Sequence, residues 1–479
     1  MEEVWPMLID GEAVTPAGSG AFERRHPATG EVVGRFAEGG TAEVDAAVGA
    51  ARRALERGWA DSSGAERAAI LQALAQRLRE RAEDYARLES AQVGIPYGQV
   101  SWLNYYCADV VDFYAGAARM RFGRSAELGE QRLGFTLEQP VGVVGVITPW
   151  NFPLVLTIWK VAAALAAGCT LVVKPDQMTP MTILELARDL TDLGLPPGVI
   201  NVVTGPGPLL GDAMVTHEGI DKIAFTGSTA TGQQVVSRSA PTLKRLSLEL
   251  GGKSPLIVMP DADPTAAADA ALECFFNSGQ QCNVPSRLLL APGAEDVLEQ
   301  VVERARAKRL GGDDDAELGP LVNDEQHARV TGYLEEARSA GSRILTGGGR
   351  PRDAGPGPFV EPTVVEGAEP DARIVREEVF GPVMVVQRHS GLDEAIDLAN
   401  AGQYGLASGI FTADLDAAVR ASRRLQSGIV WVNTWNSTVP ELPTGGVKAS
   451  GMGRELGLEG LDSYLETKTV LVDPARSGS

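Results

Sequence analysis

Apolar residues along this chain change period several times, and each change predicts a different element. Over residues 6–36 they form short clusters broken by Asp10-Gly11 and Thr29-Gly30, which are turn signals between short strands. Over 41–57 and 63–90 they recur at helical spacing between charged positions, predicting two helices that open at Thr41 and Ser63 as caps. Residues 121–137 are polar, glycine-spaced and mildly alternating, the pattern of an exposed hairpin of the kind that docks another subunit. From Pro140 onward, runs rich in Val and Ile at 141–148, 170–174, 199–203 and 222–225 alternate with helical stretches. Short buried strands joined by helices predict a parallel α/β sheet. Residues 256–259 and 286–290 begin a second such series, which runs to about Trp431. The Gly-rich loops at 347–349 and 355–357 carry no assigned function, and no internal repeat interrupts the pattern.

Length and composition narrow the class. At 479 residues the chain is long for one core, so two or three subdomains are expected. Hydrophobic residues at 44% and charged residues at 22% are ordinary globular values, which sets disordered and fibrous classes aside. A formal charge of −20 argues against nucleic acid or an anionic membrane as a partner, because phosphates are held by clustered Lys and Arg. No apolar run approaches the ~18 residues of a membrane span, and Met1-Glu2-Glu3-Val4 lacks the basic and apolar regions of a leader, so a cytoplasmic protein is expected. Four scattered cysteines without a Cys-x-x-Cys pair, and only four histidines, point away from a disulfide framework or a metal site.

Cys107, Cys169 and Cys274 have the apolar or helical surroundings of ordinary core cysteines. Cys282 differs. It is flanked by Gln281 and Asn283, and it follows the alanine-rich helical run 264–274 and the small-residue turn Ser278-Gly279-Gln280. A thiol placed there can act as a nucleophile, but its free pKa of about 8.5 means that a base elsewhere must activate it.

Four further stretches put polar groups at strand ends or helix starts. In Thr148-Pro149-Trp150-Asn151-Phe152-Pro153 two prolines hold the backbone, so the Asn151 amide is either an oxyanion donor or a turn asparagine capping its own chain. Lys174-Pro175-Asp176-Gln177 follows a buried strand, at the sheet edge where open α/β folds bind ligands; this lysine can reach a phosphate or a ribose hydroxyl. Phe225-Thr226-Gly227-Ser228 leads from strand to helix, which suits a pyrophosphate or, equally, a simple helix cap. Glu249 lies between Leu248 and Leu250, where an apolar setting pushes a carboxyl pKa toward the range of a general base; an ion-paired or helix-end glutamate is the alternative. The standard dinucleotide fingerprint is absent, since Gly205-x-Gly207-x-x-x-Gly211 is one residue too long in its second gap.

Phe-Thr-Gly-Ser-Thr at 225–229, Leu-Glu-Leu-Gly-Gly-Lys at 248–253 and Gly-Gln-Gln-Cys at 279–282, in this order and spacing, resemble the aldehyde dehydrogenase superfamily. Pro149-Trp150-Asn151-Phe152-Pro153, Glu377-Glu378-Val379-Phe380-Gly381-Pro382 and the run 445–455 agree, so the resemblance covers nearly the whole chain. It implies NAD(P)-dependent oxidation of an aldehyde to a carboxylic acid. Cys282 would attack the carbonyl, Asn151 and the Cys282 N–H would hold the oxyanion, Glu249 would activate water against the thioester, and Glu455 would relay protons.

The same resemblance implies a cofactor site of Thr148, Trp150, Lys174, Gln177, Gly207, Thr226, Gly227, Ser228, Leu250, Glu378 and Phe380, with NAD or NADP as the coenzyme. Gln177 departs from the glutamate usual in NAD-selective members, so tolerance of NADP is expected. Phe152, Leu156, Trp159, Phe276 and Thr444, with Tyr106, would line the aldehyde channel. Thr444 replaces the usual phenylalanine, which predicts a wider pocket for an apolar or bulky aldehyde.

The expected fold is α/β with two doubly wound parallel-sheet domains. These are a Rossmann-like cofactor domain (1–120 and 139–250) and a catalytic domain (251–445). A small β oligomerisation element (121–138 and 464–479), with a strand over 464–472, would build a homodimer or homotetramer. Three rivals stand beside this reading. A dehydrogenase that hands its thioester to coenzyme A is opposed by Glu249, which such enzymes usually lack. A catalytically silent binding or structural protein on the same fold is opposed by the intact Cys282, Glu249 and Asn151. A papain-like cysteine hydrolase would need a partner among histidines that have no recognisable setting.

Overall fold

The computed structural model describes residues 4–16, 18, 20–128 and 132–473. Two open sheets organise it. In the first, Val143–Ile147, Thr170–Lys174 and Lys222–Thr226 are buried along their whole length, which is why they read as short, mainly apolar runs without alternation. Across the sheet the strands lie in the order Gly451–Met452, Arg245–Glu249, Lys222–Thr226, Val143–Ile147, Thr170–Lys174, Ile200–Val202, Met7–Ile9, Glu12–Val14. The five central strands are parallel; the two N-terminal strands and Gly451–Met452 join the edges antiparallel. From Val143–Ile147 the chain first adds strands on one side, then crosses back to add Lys222–Thr226 on the other. That reversal is a topological switch point, and it opens a crevice at the strands' carboxyl ends.

The second sheet runs Arg343–Thr346, Thr363–Glu366, Val383–Arg388, Arg287–Leu290, Pro255–Val258, Ala407–Phe411, Ile429–Val432, parallel throughout except for its first strand. A separate antiparallel sheet joins Ser125–Glu127 and Leu133–Pro140 to Leu465–Val472, paired from Leu465 opposite Pro140 to Val472 opposite Leu133. Residues 129–131 and 474–479 of the expected oligomerisation element, and Met1 to Glu3, lie outside the described residues. Leu133, Leu137, Leu471 and Val472 are exposed on this sheet.

Helix boundaries differ from the periodicity in two places. The first helix, Thr41–Glu56, is capped by Gly40 rather than by Thr41, because the Glu43 carboxylate reaches back to accept the Gly40 N–H at 2.7 Å. The predicted helix over 63–90 is two helices, Gly64–Glu80 and Ala82–Val93. Ser63 caps the first of them in a reciprocal pair with Glu66. Arg81 leaves helical geometry between them (φ −103°, ψ 20°), its guanidinium held by Asp84, Glu185 and Asp189. A one-residue break does not disturb the apolar period, so the sequence pattern does not reveal it. No helix among the described residues is long and apolar enough to cross a membrane.

Candidate active site

The switch-point crevice is a cleft of about 640 Å³. Its walls include Thr148 and Trp150 after one strand, Lys174 and Asp176 after the next, Gly207, and Thr226, Gly227 and Ser228. Ser228 caps the helix Thr229–Ser239 by accepting the Thr231 N–H at 3.2 Å, and both Ser228 and Thr231 line the cleft, so the helix N-terminus opens onto it. Lys174 is buried, and burial depresses its ammonium pKa while Asp176 partly offsets the shift. A helix start, a lysine and small residues around a volume of this size fit a dinucleotide. Gln177 is exposed and does not line the cleft, whereas its neighbour Asp176 does. Leu250 is also off the cleft: its N–H donates to the Ser450 carbonyl at 2.9 Å and its side chain packs over Gly232.

Beyond the cleft, the helix Pro264–Leu272 runs into the distorted turn Glu273–Gly279, where Asn277, Ser278 and Gly279 are successive left-handed residues (φ 46°, 52° and 72°). This turn delivers Cys282. Burial pushes its thiol pKa up to about 12, and the nearby carboxylates of Glu378 and Glu249 add to the shift. In this setting the thiol is neutral and a proton acceptor is needed before it can attack. The Asn151 side-chain amide donates to the Gln280 carbonyl at 2.9 Å, which brings Asn151 beside the nucleophile segment and leaves its second N–H available. Cys107, Cys169 and Cys274 are buried and free.

Two glycines account for the close packing around Cys282. A Cβ on Gly251 would lie 2.4 Å from Glu378 Oε2, and one on Gly252 would lie 2.3 Å from the Cys282 carbonyl oxygen. Glu378 accepts the Gly252 N–H at 2.9 Å, and burial raises its carboxyl pKa to about 7. The Phe380 ring meets the Trp150 ring edge to face at 5.4 Å, linking this loop to the mouth of the cleft.

Glu249 ends the strand Arg245–Glu249, buried, between Thr226 on one neighbouring strand and Gly451 on the other. Burial raises its carboxyl pKa well above the usual range; Glu455 raises it further, while Lys160 and Arg454 oppose the shift. Lys160 is fully buried, with Nζ 2.5 Å from Glu455 Oε1 and 2.7 Å from Thr226 Oγ1. Thr444 and Glu455 exchange backbone hydrogen bonds at 2.7 and 2.9 Å, which ties the expected channel wall to this pair. The carboxylates and the buried ammonium thus form one polar cluster reaching from Glu249 to the Thr226 edge of the cleft.

Residues 14–470 match the sequence model of the aldehyde dehydrogenase family. The chain belongs to the aldehyde dehydrogenase family. A chloroplastic aminoaldehyde dehydrogenase of Arabidopsis thaliana is 42% identical over 476 residues, covering 97% of this chain and 95% of the relative. The NAD+ complex of an aldehyde dehydrogenase from Bacillus cereus superposes with a TM-score of 0.96 at 41% identity, covering 98% and 97% of the two chains. A betaine aldehyde dehydrogenase from Staphylococcus aureus in complex with NAD+ does so with a TM-score of 0.96 at 36% identity, covering 98% and 95%. The chain is accordingly an enzyme that oxidises aldehydes to carboxylic acids.

Among the residues expected to line the aldehyde channel of this aldehyde dehydrogenase, the Phe152 and Phe276 rings lie parallel at 5.9 Å. Leu156 and Thr444 are buried, and Trp159 and Tyr106 are half-buried with their polar atoms enclosed. Several residues of the enzyme's polar framework escaped the sequence reading. Lys160 carried a usable signal, being the one charged residue in the otherwise apolar helix Pro153–Ala167. Asp176 stands in the same strand-end motif as Gln177, and nothing local marks which of the two side chains turns toward the cleft. Asn277 and Gln280, which bond to the Asn151 segment, stood inside the nucleophile motif but had no sequence mark of their role.

Proposed function

We propose that this enzyme works through covalent catalysis at Cys282, with NAD as its preferred coenzyme and a bulky, largely apolar aldehyde as its substrate. The observation that carries the reading is the convergence of a half-buried thiol, a neighbouring carboxyl with a raised pKa and a side-chain amide donor, next to a dinucleotide-sized cleft. Glu249 takes the Cys282 proton, because its raised pKa narrows the gap between acceptor and donor. The sulfur then bonds to the aldehyde carbon, and the alkoxide is held by the free N–H of Asn151 and the backbone N–H of Cys282. A bound nicotinamide coenzyme supplies the acceptor for the aldehyde hydrogen, which leaves as hydride. Glu249 next takes a proton from water, the water oxygen bonds to the thioester carbon, and the C–S bond breaks to release the acid. Glu455 and Lys160 carry the proton away from Glu249.

The preference for NAD rests on Asp176. A carboxylate on the cleft wall beside Lys174 repels a 2′-phosphate, whereas Gln177 faces solvent. The bulky, apolar substrate follows from the parallel Phe152 and Phe276 rings and the small Thr444 wall. A second reading is an aldehyde bearing a quaternary ammonium group: aromatic faces attract such cations, and one of the similar structures is a betaine aldehyde dehydrogenase. The exposed Leu133, Leu137, Leu471 and Val472 support self-association through the three-stranded sheet, as a homodimer or homotetramer.

The test is reduced-nicotinamide absorbance with NAD or NADP, using aliphatic, aromatic, amino and betaine aldehydes, beside Cys282→Ala. Turnover that vanishes in the variant is expected, with aromatic aldehydes ahead. Equal turnover by the variant would refute the covalent route, and betaine aldehyde ahead of every aromatic one would select the second reading.

A further inference from the structure

Asn151 and the nucleophile turn belong to different halves of the fold, yet they are joined by a reciprocal pair of hydrogen bonds. Asn151 Nδ2 donates to the Gln280 carbonyl at 2.9 Å, and Asn277 Nδ2 donates to the Asn151 carbonyl at 3.1 Å. All three residues are buried. The turn side of this clamp is itself fixed. Gln280 Oε1 accepts the Val322 N–H at 2.9 Å, and Gln280 Nε2 donates to the Asn277 carbonyl at 3.0 Å and toward Pro320 at 3.5 Å. Gln99 Oε1 accepts the Asn277 N–H at 3.1 Å, and Ser278 Oγ donates to the Gly319 carbonyl at 2.6 Å.

We propose that Asn277 and Gln280 are positioning residues that aim the free N–H of Asn151 at the reacting carbonyl; this rests on reading Asn151 as the oxyanion donor. The physical argument is that a donor stabilises developing charge only when its direction is set before the charge forms. An asparagine amide rotates about χ2 in a broad well, so backbone placement alone does not aim it. Engaging one N–H with Gln280 O fixes that rotation and hence the direction of the other N–H. The bond from Asn277 fixes the backbone from which the side chain springs. Asn277 holds a left-handed conformation at φ 46°, which asparagine tolerates better than most residues, and its backbone N–H and carbonyl are both hydrogen-bonded. The clamp crosses from the cofactor half to the catalytic half, so the two halves must be in register for the donor to point correctly.

The experiment is a double-mutant cycle of Asn277→Gly with Asn151→Ala in the full-length enzyme. Glycine accepts the left-handed backbone, so the side-chain bond is removed without new strain; Asn277→Asp keeps the shape but loses the donor. Removing an oxyanion donor costs ~10²–10³ in kcat, and misaiming one is expected to cost ~10–10². Asn277→Gly and Asn277→Asp should therefore slow kcat by about 10–100-fold. Coenzyme affinity by tryptophan quenching and the rate of Cys282 alkylation should stay within about twofold, because neither uses the oxyanion donor. In the Asn151→Ala background, Asn277→Gly should cost nothing further. Across para-substituted benzaldehydes, the Asn277 variants should lose most with electron-rich rings, whose carbonyls lean hardest on the donor. Additive losses in the cycle, or wild-type kcat in both Asn277 variants, overturn the positioning role. An unaffected Asn151→Ala enzyme overturns instead the assignment of the donor itself.

Discussion

Replacing Lys160 by methionine tests the buried cluster most directly. Lys160 is fully buried and Glu455 nearly so, with 2.5 Å between Nζ and Oε1. Removing one partner of a buried pair strands the other charge, at a cost of about 3–5 kcal/mol. For a chain of 479 residues, an unfolding entropy of ~2.1 cal/mol/K per residue gives about 1 kcal/mol per degree near the melting point. The expected drop in apparent melting temperature is therefore about 3–5 °C for whole-chain unfolding, and more if one half melts alone. Lys160 also opposes the upward shift of Glu249, so its loss should move the acid limb of the kcat profile to higher pH. The assay is thermal melting at one scan rate and neutral pH, with Lys160→Met beside the double variant Lys160→Met/Glu455→Leu. Apolar replacement of both partners should restore most of the lost stability while proton removal from Glu249 stays slow. A double variant no more stable than Lys160→Met would refute the reasoning.

Other outcomes follow from the same geometry. Glu249→Gln should slow both the first-turnover coenzyme reduction and steady-state kcat by ~10²–10⁴-fold, as seen by rapid mixing, because both thiol deprotonation and water activation use this carboxylate. Because burial and Glu455 raise the Glu249 pKa, its base form is lost as pH falls through a value well above the ordinary carboxylate range; kcat should therefore decline on the acid side while the fold persists. Alkylation of Cys282 in the coenzyme-free enzyme should keep accelerating above pH 9, since burial lifts the thiol toward about 12, and a plateau near pH 8 would contradict that burial. Asp176→Asn should raise kcat/KM with NADP about tenfold, from ~1–2 kcal/mol of relieved repulsion, whereas Gln177→Glu should change it less than threefold. Gly252→Ala should remove activity and lower stability, because its Cβ meets the Cys282 carbonyl at 2.3 Å and neither backbone has room to move.

Much of this enzyme is legible in one dimension. Buried parallel strands need Val/Ile runs, and those runs stand in the sequence at 143–147, 170–174 and 255–258. The Cys282 motif, the apolar flanks of Glu249 and the polar Thr148-to-Pro153 segment are local patterns, so they announce chemistry without any knowledge of packing. Pairings between distant segments have no such local mark. The Gly40 cap, the break at Arg81 and the antiparallel return of Gly451–Met452 beside Glu249 each depend on a partner that periodicity does not see.

The same division runs through the active site. By itself the sequence determined which groups can react, since a thiol, a carboxyl and an amide are properties of residue type. Only the tertiary structure decided their state and direction. Lys160 comes under Glu455 because a helix and a C-terminal loop pack together, and the thiol and carboxyl pKa values rise because the surrounding segments exclude water. Asn151 is aimed by Gln280 and Asn277, more than a hundred residues away, and a hydrogen bond across that separation exists only once the two halves have closed on each other.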